Sequence, residues 1–279
     1  MTRPVRSPHE FNLESVASIG IELKRCFTEY NHGFGKFFMY LISGMHRSGT
    51  SLVTRFCYEA GADLGDANTF YQPDRWNPDG YFEQPEFHAI NMPLINGPWG
   101  KLAYFHLPST NTIMKRASRL SDQIANTAEK YRNKVVKETR FCLTLPAWRA
   151  HGASIDGLAI CLRHPADVAR SLRRRNRIPR SIAYRLWQTH LERLLEHSKD
   201  IPRRFVKYEN VLDHELVAGE LRGVIADAGV ACDDDGIGKL QRELVRLKPG
   251  LLSRKPPRLP ASVGQYWDDL LQRHASQGS

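Results

Sequence analysis

The chain has 279 residues, enough for one large α/β domain with insertions or for a domain and a half. Its 41% hydrophobic and 10% aromatic content is that of a folded globular protein, and no apolar stretch is long enough to cross a bilayer, so neither a membrane-embedded chain nor a Golgi-type anchor is expected. Net charge is +10, with 28 Arg against 12 Lys, which suits phosphate or sulfate recognition by planar guanidinium forks but equally suits nucleic acid or an acidic surface. Cysteines at 26, 57, 142, 161 and 232 form no C-x-x-C pair and read as reduced thiols of a cytoplasmic protein.

In chain order, residues 1 to about 10 read as a tail. Val16, Ile19, Leu23, Phe27 and Tyr30 then follow a helical 3-4-4-3 spacing that ends at Asn31-His32-Gly33. The first 35 residues are thus a tail and a helix, and residues 36–279 one α/β domain. The apolar run Phe37 to Ile42 predicts a strand. Gly44-Met45-His46-Arg47-Ser48-Gly49-Thr50-Ser51 follows it, and Leu52, Val53, Phe56 and Ala60 then recur at helical spacing, with Gly61 as C-cap. Strand, glycine-flanked loop and helix together aim backbone N–H groups and a helix N-terminus at one point, an anion site. The spacing G-x-x-x-x-G is that of the P-loop, but Thr50 stands where a nucleotide-hydrolysing enzyme carries Lys.

From Asp66 to Asn111 the chain is rich in Pro and aromatic residues, including Trp76, Tyr81, Phe87, Trp99 and Tyr104. It reads as a long irregular loop, residues 66–111, that walls a second substrate, or else as a structural connection rich in core aromatics. Ile113 to about Arg132 is predicted as a helix. Lys134–Lys137, Leu158–Leu162 and Arg203–Tyr208 are strand candidates. Helical patterns fall around 165–175, 180–198, 211–228 and 237–247. This alternation predicts a three-layer α/β fold of P-loop type, a central mainly parallel sheet flanked by helices. Asp233-Asp234-Asp235 reads as a solvated turn before a helix.

The buried strand ending near Arg163 leads into a helix with Pro165 at its start, Asp167 in its first turn and Ser171 about two turns in. Arg163 and Ser171 can converge on one anion above the sheet, where open α/β sheets bind ligands. Arg170, Arg173, Arg174, Arg175, Arg177, Arg180 and Arg185 continue the basic run, which alone reads as a solvated face and beside an anion loop suggests a ligand with two phosphate groups.

The loop resembles the 5′-phosphosulfate loop of sulfotransferases that use 3′-phosphoadenosine 5′-phosphosulfate (PAPS), with the R-S-G-T of the protein-tyrosine type. Arg163 to Ser171 resembles their 3′-phosphate motif, with the same spacing of eight. Asn77 to Glu83 resembles the G-Y-(F/W)-E element of bacterial members, Val136 to Arg140 their K-D-P-R strand end, and Lys207 to Asn210 their Y-E-D/N-L. The family's order is kept from about 38 to 212. The resemblance implies sulfuryl transfer from PAPS, without a metal, to a hydroxyl or amine of a carbohydrate, lipid or small metabolite. It implies that Ser48, Gly49, Thr50 and Ser51 cradle the 5′-phosphate through their N–H groups. Arg47 and Lys137 would offset charge on the departing groups, Glu83 would be the base, and Arg163 and Ser171 would hold the 3′-phosphate.

Thr139 stands where cytosolic members carry a catalytic His, which moves the base elsewhere: Glu83 first, then Glu138, then His88. Glu138-Thr139 also replaces the family's Asp-Pro. Tyr208 and Glu209 are expected to brace the sheet edge. The competing readings are a P-loop nucleotide or sugar kinase, against which stand Thr50 and the lack of an apolar strand ending in a magnesium-binding Asp, and a non-enzymatic binder of nucleic acid or polyanion. The basic run has no interleaved aromatics to stack bases, so nucleic acid is not the expected partner.

Overall fold

The structure is a computed structural model that describes residues 39–75, 77, 80–97, 106–245 and 257–277. The expected N-terminal tail and helix lie outside the described residues, as do Trp76, Pro78, Asp79 and Trp99 to Phe105 of the aromatic segment.

Among the described residues, four strands form one parallel sheet in the order β2-β1-β3-β4: β1 (Met39–Ser43), β2 (Val135–Lys137), β3 (Ile155–Leu162) and β4 (Arg203–Lys207). Central strands covered on both faces read as continuous apolar runs, which is why they are visible in the sequence. Alternate side chains serve opposite layers. Met39, Leu41, Val136, Leu158, Ile160 and Leu162 join one core, and Tyr40, Ile42, Val135, Ala159, Cys161 and Val206 the other. The three-layer α/β architecture is therefore as the alternation predicts.

Helix α1 (Thr50–Glu59) covers the second face with α9 (Val217–Asp227) and α10 (Asp234–Leu244). The first face is covered by α2 (Pro85–Asn96), α3 (Thr110–Ala117), α4 (Ser121–Lys130), α5 (Phe141–Ala150), α6 (Pro165–Asn176), α7 (Arg180–His197) and α11 (Ala261–Ser276). The short helix α8 (Tyr208–Leu212) directly follows β4.

Three expectations change. The segment 66–111 is not irregular throughout: α2 forms within it and buries Phe87, Ile90 and Leu94, so part of the expected substrate wall is core. The helix expected over 113–132 is two helices, broken at Ser118–Leu120. Helices α5 and α11 were not expected. Asp233 does cap α10, its carboxylate accepting from Gly236 N–H at 2.7 Å, while Asp234 pairs with Arg222. Cys57, Cys142 and Cys161 are buried, and burial pushes their thiols up, the first two to about 12, as for inert structural cysteines.

Candidate active site

With the order 2-1-3-4, chain direction across the sheet reverses between β1 and β3, and the crevice at their carboxyl ends is the place where such sheets bind ligands. The loop 44–49 leaves β1 there and Arg163 leaves β3 beside it. Gly44 lies so close to β3 that an added Cβ would sit 2.6 Å from the Cys161 carbonyl oxygen. A cavity of about 630 Å³ opens above this edge, lined among others by Arg47, Gly49, Thr50, Ser51, Tyr81, Glu83, His88, Lys137, Arg140, Arg163, Arg175 and Tyr208.

The loop ends in Gly49 at φ +91°, the N-cap of α1, which has no side chain to cap the first turn. Gly49 C=O takes the N–H groups of Leu52 and Val53. Among the described residues, no backbone carbonyl takes those of Gly49, Thr50 and Ser51, which are the donors a helix start leaves open. The Ser48 N–H, expected in the same cradle, instead turns back to Met45 C=O at 3.1 Å. Its hydroxyl is buried and has no hydrogen-bond partner among the described residues. Ser51 Oγ bonds the Tyr81 carbonyl at 3.5 Å and accepts from Asn77 Nδ2 at 3.3 Å, which ties the loop to the segment carrying Glu83.

Arg47, Arg163 and Ser171 are brought together. Arg47 Nε donates to Ser171 Oγ at 2.9 Å, and Arg163 Nη1 donates to Arg47 C=O at 3.0 Å. Arg163 also lies over the Tyr208 ring, 4.3 Å from its centroid, and its buried Nε has no hydrogen-bond partner among the described residues. Burial, then the neighbouring Arg175 and Arg163, lower the Arg47 pKa from its ordinary value. Three guanidiniums are crowded together here, and among the described residues the buried Ser48 Oγ and Arg163 Nε have no hydrogen-bond partner. Tyr208 does more than brace an edge: its ring is where a Cβ on Gly49 would fall, at 2.2 Å, and it forms a wall of the cavity. Its signal in the sequence was the strand end just before it. Glu209 does brace, accepting from His164 N–H at 3.2 Å.

The second group of charges faces the loop. Lys137 Nζ donates to Glu83 Oε1, with Lys137 2% and Glu83 12% exposed, and Arg140 stands 3.9 Å from the other Glu83 oxygen. Burial raises the Glu83 pKa, but Lys137 and Arg140 outweigh it and hold the carboxyl below the usual range. Glu83 is thus held in its ionised form and lines the cavity.

Glu138 is different. It is fully buried, one oxygen takes both Arg140 N–H and Arg140 Nη1 at 2.8 Å, and it does not line the cavity. Its place is to shape the turn from β2 into α5. His88 lines the cavity with its ring 5.4 Å from Tyr71, and burial lowers its pKa. His46 shares a 2.9 Å hydrogen bond with Thr139 and packs against His190; burial, then Arg140, lower its pKa well below the ordinary value, so it stays neutral.

No protein-family model matches the chain, and no curated protein matches it in sequence. Two solved structures are similar in outline. One is a sulfotransferase domain from the Synechococcus PCC 7002 olefin synthase, 16% identical, spanning 88% of this chain and 97% of that one with a TM-score of 0.46. The other is a sulfotransferase domain from the curacin biosynthetic pathway, 15% identical, spanning 88% and 98% with a TM-score of 0.39. Both scores are too low to carry an argument, and what the chain does rests on its own residues. Among the described residues no group of His, Cys, Asp and Glu is placed to hold a metal ion, and no helix is long and apolar enough to cross a membrane.

Proposed function

We propose that the chain transfers a sulfuryl group from PAPS to a hydroxyl or amine of an acceptor. The observation that carries this reading is the pairing of two charge groups across one cavity. On one side a phosphate-type loop without the P-loop Lys is backed by Arg47, Arg163 and Ser171; on the other stands an ionised Glu83 on Lys137. The motif resemblance gives Arg47, Lys137, Glu83 and Arg163 these roles, whereas it gave Ser171 to the 3′-phosphate and here Ser171 accepts from Arg47 Nε. The Ser48 and Arg163 groups that have no partner among the described residues are what an anionic donor would satisfy.

The chemistry is one in-line displacement. The acceptor oxygen or nitrogen forms a bond to sulfur as the bond from sulfur to the 5′-phosphate oxygen breaks. 3′-Phosphoadenosine 5′-phosphate (PAP) leaves, and the acceptor proton passes to Glu83 and on to solvent. Positioning and charge stabilisation supply most of the acceleration, by analogy with phosphoryl transfer. The N–H groups of Gly49, Thr50 and Ser51 hold the 5′-phosphate at the start of α1. Arg47 and Lys137 face the charge that develops on the leaving oxygen. Arg163, with Ser171 steadying Arg47, holds the 3′-phosphate. For Lys137 to serve the leaving group it must turn from Glu83, which frees that carboxylate to take a proton.

The test is a thermal melt with PAP and, separately, with ATP and magnesium. PAP at a hundred times its Kd is expected to raise the midpoint by roughly 5–10 °C, because a ligand that binds only the folded state stabilises it by mass action. ATP with magnesium is expected to leave it unchanged. The reverse pattern would make the chain a nucleotide-dependent kinase. Arg163→Ala is expected to abolish the PAP shift, and an unchanged shift would remove Arg163 from the donor site.

A further inference from the structure

Helix α8 is five residues long, too short to hold its own shape. Yet its first residue, Tyr208, carries the ring that packs on Gly49 and lies beneath the Arg163 guanidinium. Glu220, on α9, reaches both flanks of Tyr208. Its Oε1 accepts from Lys207 N–H, and its Oε2 accepts from Asn210 Nδ2 at 2.9 Å. His274, on α11, closes the arrangement: its Nε2 lies 2.9 Å from Oε1 and 3.0 Å from Oε2 of the same carboxylate. A carboxylate oxygen accepts, so the proton of this bond is carried on Nε2. The Glu220 side chain is 5% exposed and that of His274 18%.

A buried carboxylate needs partners in any protein, and fastening α9 to β4 and α11 would supply them. Two features go further. The groups that Glu220 holds bracket Tyr208 in the chain, one residue before it and two after, and bonds to an ionised acceptor are about twice as strong as neutral ones. The residue next to Tyr208, Glu209, takes the N–H of His164, which follows Arg163. Carboxylates from two elements thus fix the backbone on which the Tyr208 ring is mounted. That ring has no slack: a Cβ on Gly49 would fall 2.2 Å from it, and Arg163 stands 4.3 Å from its centre.

We propose that Glu220, steadied by His274, is a positioning residue for the donor: it sets the Tyr208 ring and, through that ring, the aim of Arg163 and the place of Gly49. The inference rests on the sulfuryl-transfer reading and deepens it, because it ties the donor site to two residues that do not line the cavity.

The test is the PAP Kd of full-length variants, by calorimetry at a temperature well below each melting midpoint. Glu220→Met removes both acceptor oxygens at nearly the same length. Glu220→Gln keeps an oxygen for Lys207 N–H and His274, and its amide can pair with Asn210 once that side chain turns its own oxygen inward. Each is also made with Tyr208→Leu, which removes the ring but leaves an apolar side chain. Glu220→Met is expected to weaken PAP tenfold or more and Glu220→Gln less than threefold. Beside Tyr208→Leu, the further loss from Glu220→Met should shrink to less than threefold, because residues acting through one another are not additive. A lowered midpoint with PAP affinity intact overturns the inference and makes Glu220 a fastening of the sheet edge. A full tenfold loss beside Tyr208→Leu overturns it by taking Tyr208 out of the route. A Glu220→Gln as weak as Glu220→Met overturns it as well, since charge and not the bonded position would then be what counts. Should Glu220→Met not fold, His274→Leu goes through the same comparison. There a loss of threefold or more that disappears beside Tyr208→Leu is expected, and an unchanged or additive affinity overturns the inference. All these outcomes leave the donor reading standing; failure of wild type to bind PAP would sink that reading and the inference with it.

Discussion

Glu83 and Lys137 each prevent the other from being an isolated buried charge. An acceptor proton can be taken only by an ionised Glu83, and burial alone would push that carboxyl up; Lys137 first, then Arg140, reverse the direction. Glu83→Gln keeps an oxygen for Lys137 but cannot take a proton. It is expected to lower kcat by about 10²–10⁴-fold while PAP affinity is unchanged, read by turnover and by calorimetry. A fully active Glu83→Gln would shift the base to His88, the other candidate that lines the cavity. The pH dependence has a definite sign. A carboxyl held below its ordinary pKa contributes stability above that ordinary pKa and loses it as pH falls through the folded value. Lys137→Met should therefore cost about 3 kcal/mol at neutral pH, the low end for a broken buried pair because Arg140 remains. The cost should shrink in acid as Glu83 protonates. The acid limb of kcat/KM should move to higher pH in the same variant, since burial is then less opposed. An acid limb that stays in place would mean that Glu83 is not the titrating base.

At the scale of elements, the loop works because β1, α1 and α8 approach closely at Gly49. A Cβ there would meet the Tyr208 ring at 2.2 Å, and φ is +91°. Gly49→Ala is expected to weaken PAP binding by at least tenfold and to lower the melting midpoint. Adding Tyr208→Ala removes the clash but not the left-handed backbone, which costs roughly 1–2 kcal/mol, so rescue should be partial. Full rescue would show that only the ring matters. The loop and its helix could be read from the sequence because glycines at fixed offsets between a strand and an amphipathic run have a local cause. The same holds for Arg163 and Ser171, which sit on one strand-helix unit. Helix α5 could not be read in this way: Phe141, Cys142, Leu143, Leu145, Ala147 and Trp148 are all buried, so no polar face marks a period, and Pro146 lies within it. Pro93 hid α2 similarly. The Lys137–Glu83 pair spans 54 positions, and only tertiary structure brings it together.

At the scale of the whole molecule, the last described helix supports the site from behind. Helix α11 closes the β4 edge: the Gln277 amide accepts from Phe205 N–H at 2.6 Å and donates to Phe205 C=O at 2.5 Å, in place of a further strand. Its Trp267 ring lies 5.7 Å from His164 and 6.1 Å from Trp187. His164 follows Arg163 and caps α6, its Nδ1 accepting from Ala166 N–H at 3.3 Å. The turn that aims Arg163 at the cavity is thus packed between the sheet and a helix about a hundred residues later, a link that no local pattern reveals. Trp267→Ala empties that space and should cost about 3–5 kcal/mol, or roughly 6–15 °C in melting midpoint. If α11 also fixes the aim of Arg163, PAP affinity in the still-folded variant should fall several-fold at a temperature well below its midpoint, while Glu83-dependent acid behaviour stays in place. A loss of stability with PAP affinity intact would make α11 a cover for the sheet edge and nothing more, because the β3–α6 turn would then hold its geometry without Trp267.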